Sequence, residues 1–265
     1  MRVLHIGDIV GESGRKAIKN ILPSLKQSLS PELVIANCEN LAGGFGVTEK
    51  TTREMLDAGI DVMTSGNHIW DKKEALKLVE QETRIIRPAN YPPGVPGRSY
   101  FIHETSRGNK VLVFNLLGRI FMDPLDCPFR TADRIIEEFK ERVNIFLLDF
   151  HAEATSEKLA LAWYLQGRVS AVIGTHTHVQ TADERIFPLG TGYITDAGMT
   201  GSISSVIGMK KDEAIKRFLT FIPHKFEVAK QDIELQGVFF DIDESTGKCL
   251  LIERIRVKLD EQEQK

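Results

Sequence analysis

Short β-branched or aliphatic runs alternate with helix-patterned segments through roughly the first two thirds of the chain, and few architectures accept that order. A helix between two strands carries the chain back to the start of the next strand, so the repeat builds a largely parallel sheet. The first strand is expected near residues 2–7, a second of fully buried type at Leu33–Ala36, and a third at Ile60–Thr64. Between the first two, Ala17, Ile18, Ile21, Leu22, Leu25 and Leu29 recur at helical spacing, with Pro23 expected to kink or split the helix. Thr48 is placed as the N-cap of the next helix and Gly59 as its C′ residue. Further strands are expected at Val111–Leu117, Val143–Phe150 and Val169–Gly174, with helices near 131–141 and 156–166 between them.

Two stretches break this alternation. Arg87–Arg98 holds four prolines and two glycines and reads as a loop, or the edge of a small cap or insertion near 70–100, within one unit spanning 1–265. Past Gly190 the texture changes to strands at Gly192–Thr195, Leu235–Ile242 and Cys249–Val257. The last two are joined by a hairpin-type turn at Asp243–Gly247, which points to a second, more antiparallel sheet. The polar end, Asp260–Lys265, is expected to fray.

At 265 residues and 42% hydrophobic content the chain can build a sizeable core, as one large α/β domain or two small ones. Its 34 basic and 37 acidic residues are spread along the sequence. That excludes the basic footprint of a protein that binds long nucleic acid stably, and leaves a small anionic substrate open. Cys38, Cys127 and Cys249 are far apart and form no C-x-x-C pair, as expected of free thiols in a reducing compartment. Met1–Asp8 reads as a short apolar strand ending in an acid, not as a signal peptide, and no apolar window is long enough to span a membrane. A cytoplasmic protein without membrane contact is the expectation, and a homo-oligomer stays open.

Five of the expected strands end, within a few residues, in side chains that can bind a metal. Asp8 follows the first, Glu39 with Asn40 the second, and Asn67 with His68 the third. His151 follows the strand ending at Phe150, and His176 with His178 the one ending at Gly174. In open α/β sheets ligands sit outside the carboxyl ends of the strands, so groups far apart in sequence can converge there. Carboxylate, amide and imidazole donors suit borderline divalent ions such as Mn, Fe or Zn. The set exceeds the three protein ligands of a mononuclear catalytic zinc, and one carboxylate can bridge two ions, so a dinuclear centre is favoured. Two ions about 4 Å apart can lower the pKa of a bridging water to about 7 and clamp both oxygens of an in-line displacement at phosphorus. Alternation along an extended segment would aim His176 and His178 the same way, to serve neighbouring ions.

The ordered series Gly7-Asp8, Glu39-Asn40, Gly66-Asn67-His68, His151 and Gly174-Thr175-His176-Thr177-His178 resembles the motifs of the calcineurin-like metallophosphoesterases. The likeness is closer to their bacterial YmdB-type branch of 2′,3′-cyclic-nucleotide phosphodiesterases, through Gly66–Lys73, Arg87–Asn90, Asp149–Lys158 and Gly174–Ala182. Asp8-Ile9-Val10 stands where the wider superfamily has Asp-x-His, and Glu39 where it has a bridging aspartate; both departures resemble that branch. The resemblance implies a four-layer α/β/β/α fold, two mixed β-sheets packed face to face with helices outside. It implies one ion on Asp8, Glu39, Asn40 and His178 and another on Glu39, Asn67, His151 and His176, the pair being divalent or mixed-valence Fe or Mn. His68 is left to face the substrate, as general acid toward the departing ribose oxygen or as a donor to the phosphoryl oxygens. The implied activity is hydrolysis of small nucleotide phosphodiesters, 2′,3′-cyclic nucleotides first. A phosphomonoesterase or 5′-nucleotidase on the same scaffold, and a metal-bound nucleotide sensor with slow hydrolysis, are the competing readings.

Each residue also has an ordinary role open to it: Asp8 as a helix cap, Asn67 in a turn, His151 as a satisfied core histidine. Only convergence sets these aside. His5, His103 and His224 are read as structural, Cys38 as facing the core opposite Glu39, and Asp149 and Asp196 as supports behind the ligands. Gly7, Gly11 and Gly14 lack the Gly-x-Gly-x-x-Gly spacing of dinucleotide folds, and there is no Walker-type Gly-Lys-Ser/Thr. Ala42–Gly46 reads as a loop at the mouth of the site, mobile or simply exposed, with Phe45 near a base.

Overall fold

In the computed structural model, which describes residues 1–260, the apolar runs become strands of two mixed sheets. The chain begins with β1 (Arg2–Ile6), β2 (Asp8–Ile9), α1 (Gly11–Leu29), β3 (Leu33–Asn37), α2 (Glu49–Asp57), β4 (Val62–Thr64) and α3 (Ala75–Gln81). It continues through β5 (Tyr100–Glu104), β6 (Lys110–Leu117), α4 (Pro128–Phe139), β7 (Ile145–His151), α5 (Thr155–Leu165) and β8 (Ala171–Thr175). Then come β9 (Arg185–Ile186), β10 (Gly192–Ile194), β11 (Met199–Ser202), α6 (Lys211–Thr220), β12 (Ile233–Ile242) and β13 (Cys249–Lys258). One sheet runs β2-β11-β12-β1-β3-β4 with β13 on β12, and the other runs β5-β6-β7-β8-β10-β9. β1, β3 and β4 are mutually parallel, as are β6, β7, β8 and β10.

Side chains alternate across each strand, and here both faces are covered. Leu4 and Ile6 of β1 join Ile18, Leu22, Met55 and Val79 in a core beneath α1, α2 and α3. Val3, on the other face, joins Leu33, Val113, Leu147, Ile173 and Phe240 in the layer between the sheets. Beyond the second sheet, Ile135, Ile136, Leu161 and Leu165 of α4 and α5 pack on Phe114, Leu148 and Val172. The expected α/β/β/α layering is therefore present. Strands buried on both faces read as near-continuous apolar runs, which is why they were visible in the sequence.

Pro23 does not split α1. Its missing N–H forfeits one helical bond, but Ala17, Ile18, Ile21, Leu22 and Leu25 form a single buried face running past the proline, which docks both halves on the sheet. The late strands form no separate sheet either. β12 and β13 make the expected hairpin, yet β12 also pairs antiparallel with β1, from Arg2↔Asp241 to Ile6↔Gly237. Val238 and Phe240 belong to the layer between the sheets, and burying them places this strand beside β1 in the first sheet. β10 extends the second sheet, parallel to β8. Arg87–Arg98 is irregular, as expected, and its guanidinium anchor Arg87 donates to the carbonyls of Pro88, Val95 and Pro96 at 2.9 to 3.0 Å. Of the polar end expected to fray, residues 261–265 lie outside the described residues.

α2 starts at Thr48 and ends before Gly59, as expected. The Thr48 hydroxyl accepts the Thr51 N–H at 3.2 Å, the Thr51 hydroxyl accepts the Thr48 N–H at 3.1 Å, and Gly59 takes φ +102°. Thr48→Ala is expected to lower the unfolding free energy by about 1 kcal/mol. The urea midpoint reads this directly, and an unmoved midpoint would show that the reciprocal cap contributes nothing.

Candidate metal centre

The carboxyl ends of β1, β3, β4, β7 and β8 meet at one edge of the double layer, where side chains from both sheets touch. Glu39, buried just past β3, sets its Oε1 3.0 Å from His151 Nε2, while its Oε2 accepts the His68 N–H at 2.8 Å. His176 Nδ1 also lies 3.0 Å from His151 Nε2. On the Asp8 side, Oδ1 is 3.9 Å from His178 Nε2 and 3.8 Å from His151 Nδ1, and Oδ2 accepts the His176 N–H at 3.2 Å. Position 66 must be glycine for this approach: a Cβ there would lie 2.3 Å from both Glu39 Oε2 and His151 Nε2.

The imidazoles are oriented from outside. Carbonyl and carboxylate oxygens only accept, so their partners fix which ring nitrogen carries the proton. His178 Nδ1 donates to the Ile207 carbonyl at 3.0 Å and His176 Nε2 to Glu153 at 3.2 Å. The Thr175 hydroxyl donates to Asp149 at 2.6 Å and so accepts from His151 Nδ1 at 3.0 Å. Asn37 Nδ2 also lies 3.3 Å from that nitrogen, but donates to Ser65 O and Asp149 at 3.2 Å each. Each ring thus keeps one lone pair for the centre, an arrangement typical of metal-ligating histidines.

Three oxygens test whether a cation fits. Asp8 Oδ1, Asn40 Oδ1 and Asn67 Oδ1 are buried without a hydrogen-bond partner among the described residues. The Asn40 amide nitrogen donates to Gly44 O at 2.9 Å, so only its oxygen is left over. Buried acceptors without donors are unfavourable, and a cation relieves them. Spacing agrees: two donors about 2.1 Å from one ion and at right angles are about 3.0 Å apart, the distance of His151 Nε2 from both Glu39 and His176. Glu39, His151 and His176 form one group whose ligand atoms all lie within 4.8 Å of each other.

Burial pushes the Asp8 carboxyl up to about 6, against the pull of His178 and His151. Burial acts likewise on Glu39, but the adjacent His151 outweighs it and holds Glu39 below the usual carboxylate range. Burial disfavours charge on His151, yet Glu39 and then Asp8 raise it above an ordinary imidazole. His176 is pressed down by burial and then by His151, which keeps it neutral. The charge of Glu39 can thus be balanced by a proton on His151 or by a divalent ion in its place.

Two local readings change. His176 and His178 do not lie in an extended segment, because their φ values are +98° and +63°, so strand alternation is not what aims them. The turn is held by Asp196, whose Oδ2 accepts the Thr177 N–H at 3.0 Å and hydroxyl at 2.7 Å, and by the buried Lys158, which donates to Asp196 and to Thr175 O. The Ala42–Gly46 turn is tied down: Gly46 N–H donates to Glu39 O at 2.5 Å and Ala42 N–H to Gly46 O at 2.9 Å. Phe45 stands edge-on to His68, with ring centroids 5.0 Å apart.

Residues 4–255 match the family model described as YmdB-like protein. The chain belongs to the YmdB-like family. A relative from Bacillus subtilis named 2′,3′-cyclic-nucleotide 2′-phosphodiesterase is 49% identical over 260 residues, 98% of either chain. A solved structure of a hypothetical protein from Thermus thermophilus superposes with TM-score 0.92 at 44% identity, covering 97% of this chain and 99% of that one. Another, described as a novel phosphatase from Mycoplasma pneumoniae, also reaches 0.92, at 36% identity over 99% of this chain and 95% of that one.

In this YmdB-like chain a cavity of about 350 Å³ opens over the cluster, lined by Glu39, Asn40, His68, Glu153, His176, Thr177 and His178 together with Phe45, Ile207, Met209 and Phe226. Asp149 accepts from Thr175 and Asp196 from Thr177, next to the clustered histidines, and Cys38 lies in the core under α1, its thiol pushed up by burial. His5 is buried 3.5 Å from Asp149, and neither His103 nor His224 lines the cavity. Asp71, Glu153, Thr175 and Lys158 join the site through contacts beyond the sequence expectation. An acid three residues after His68 and another two after His151 were the available signals for the first two. No helix among the described residues is long and apolar enough to cross a membrane.

Proposed function

We propose that this chain is a metal-dependent phosphodiesterase that hydrolyses 2′,3′-cyclic nucleotides. Its ion pair is assigned to Asp8, Glu39, Asn40 and His178 on one side and Glu39, Asn67, His151 and His176 on the other, Glu39 being shared and Fe or Mn the expected metal. The observation that carries this reading is the gathering of Glu39, His151 and His176 donor atoms, with the unpartnered Asp8 Oδ1 3.8 Å from His151 and the unpartnered Asn40 Oδ1 on a residue of the same cavity lining. The name of the Bacillus subtilis relative supports the substrate class. When bound, two such ions supply an activated water and positive charge for the phosphoryl oxygens.

The protein's own groups do the rest. Asp71 accepts the Nδ1–H of His68 at 2.8 Å, so the acid would be the ring protonated at both nitrogens, its Nε2–H passing to the departing ribose oxygen. Phe45, edge-on to the same ring, limits its rotation on that side. The His68 N–H, meanwhile, fixes one oxygen of Glu39.

His68→Ala is expected to lower turnover of 2′,3′-cyclic AMP by about a hundredfold to ten-thousandfold while metal content stays at the wild-type level. Elemental analysis alongside kinetics checks both, and loss of metal in the variant would mean that His68 is a ligand. Purified protein that turns over the cyclic diester but not nucleoside monophosphates bears out the diesterase reading. Preference for monoesters would replace it with a phosphatase, and binding without turnover with a sensor.

A further inference from the structure

The cavity has two unlike linings. Beside the donor groups, Phe45, Ile207, Met209 and Phe226 present an apolar surface. Phe45 and Phe226 pack against a small buried cluster of Val10, Met199 and Met209 that is separate from the three main cores. Neither a phosphoryl group nor a metal ion gains from such a wall.

The turn that carries part of it is held in an uncommon shape. Ile207 has φ +46°, a region that a β-branched residue rarely enters, and its side chain stays 52% exposed. Ser205 braces the turn, its hydroxyl donating to Ser202 O at 2.5 Å and accepting the Gly208 N–H at 2.8 Å. The Ile207 carbonyl at the same point receives His178 Nδ1. One turn therefore orients a donor of the cluster and places an apolar side chain in the cavity lining next to it.

We infer that this wall is the subsite for the heterocycle of the substrate, a nucleobase packed on Phe226 and Phe45 with Ile207 and Met209 at its margins. The inference rests on the nucleotide-diesterase reading of the site. A cavity of about 350 Å³ is at the small end of organic-ligand sites, yet has room for more than a phosphoryl group. None of the four side chains carries a strong hydrogen-bonding group, so the wall reads a π-face and its area, not the edge of a base. Purine and pyrimidine nucleotides are both accepted, and purines bind more tightly because they cover more of it.

The test uses the manganese-loaded full chain, with calorimetric binding of adenosine 2′-monophosphate, ribose 5-phosphate and inorganic phosphate. The wild type should bind the nucleoside monophosphate more tightly than the sugar phosphate. Phe226→Ala should weaken the nucleotide by about tenfold and leave inorganic phosphate unchanged. Phe226→Leu, which keeps the apolar bulk without the ring, should lose part of that affinity, and Phe226→Tyr should retain it. Equal losses for nucleotide and phosphate, or none for the nucleotide, overturn the subsite. A wild type that binds the nucleotide through Phe226 but hydrolyses no cyclic diester would sink the diesterase reading alone; cyclic-nucleotide turnover with KM indifferent to Phe226 would sink the subsite alone.

Discussion

Glu39→Gln is expected to reduce 2′,3′-cyclic nucleotide turnover by at least on the order of a thousandfold, and to strip metal from the purified protein. Glu39 is 1% exposed, and its two oxygens face different partners, the His68 N–H and His151 Nε2. A glutamine can offer one acceptor only. If its oxygen keeps the His68 N–H, its amide protons point at the imidazole lone pair where a cation should sit; if it turns over, the His68 backbone loses its acceptor. In either orientation one negative charge leaves a floor whose other buried carboxylate is Asp8. Elemental analysis, circular dichroism and turnover together check this. A folded variant with wild-type metal content and activity would show that Glu39 is not the shared ligand.

Most of the candidate site was legible because each donor lies in, at the end of, or a few residues past a strand, and strands buried on both faces announce themselves. Asp8, Glu39, Asn67, His151 and His176 needed no knowledge of which strand pairs with which, only that parallel strands end on the same side. The groups that aim them left no such mark. Thr175 matters because Asp149 accepts its proton, Glu153 because His176 turns toward it, and Ile207 because its carbonyl meets a histidine from another loop. These are contacts made in space by residues of ordinary type. The direction of His176 and His178 was inferred from extended alternation, whereas left-handed backbone at both residues is what the turn uses.

The fold divides the same way. α2 could be delimited because Thr48 and Gly59 carry their roles locally. β12 could not be placed, because its partner β1 lies at the other end of the chain and its hairpin turn says nothing about the strand on its far edge. β2 and β11 are too short to show a period; β2 is defined by its pairing with β11, which in turn pairs with β12. In α6, Ala214, Ile215, Phe218 and Leu219 do recur at helical spacing, but the fold buries only Ala214 and leaves the other three exposed, so this apolar face does not dock on the sheets.

Lys158→Met is expected to cost about 3–5 kcal/mol of unfolding free energy, the largest stability loss we anticipate for one substitution. Lysines are seldom fully buried, yet Lys158 is 1% exposed beside Asp196, which is 0% exposed, at 2.9 Å. Methionine preserves the volume and removes the charge, which leaves the carboxylate with the Thr177 and Gly198 donors but no counter-ion. The Thr175 carbonyl loses its ammonium donor as well. Because Asp196 also clamps Thr177 between the two site histidines, metal affinity should fall along with stability. In the double variant with Asp196→Asn neither charge is buried, so the combined loss should be smaller than the two single losses added. Urea denaturation of all four proteins measures this coupling, and strict additivity, or a Lys158→Met loss below about 1 kcal/mol, would mean that the buried pair does not hold the histidine turn.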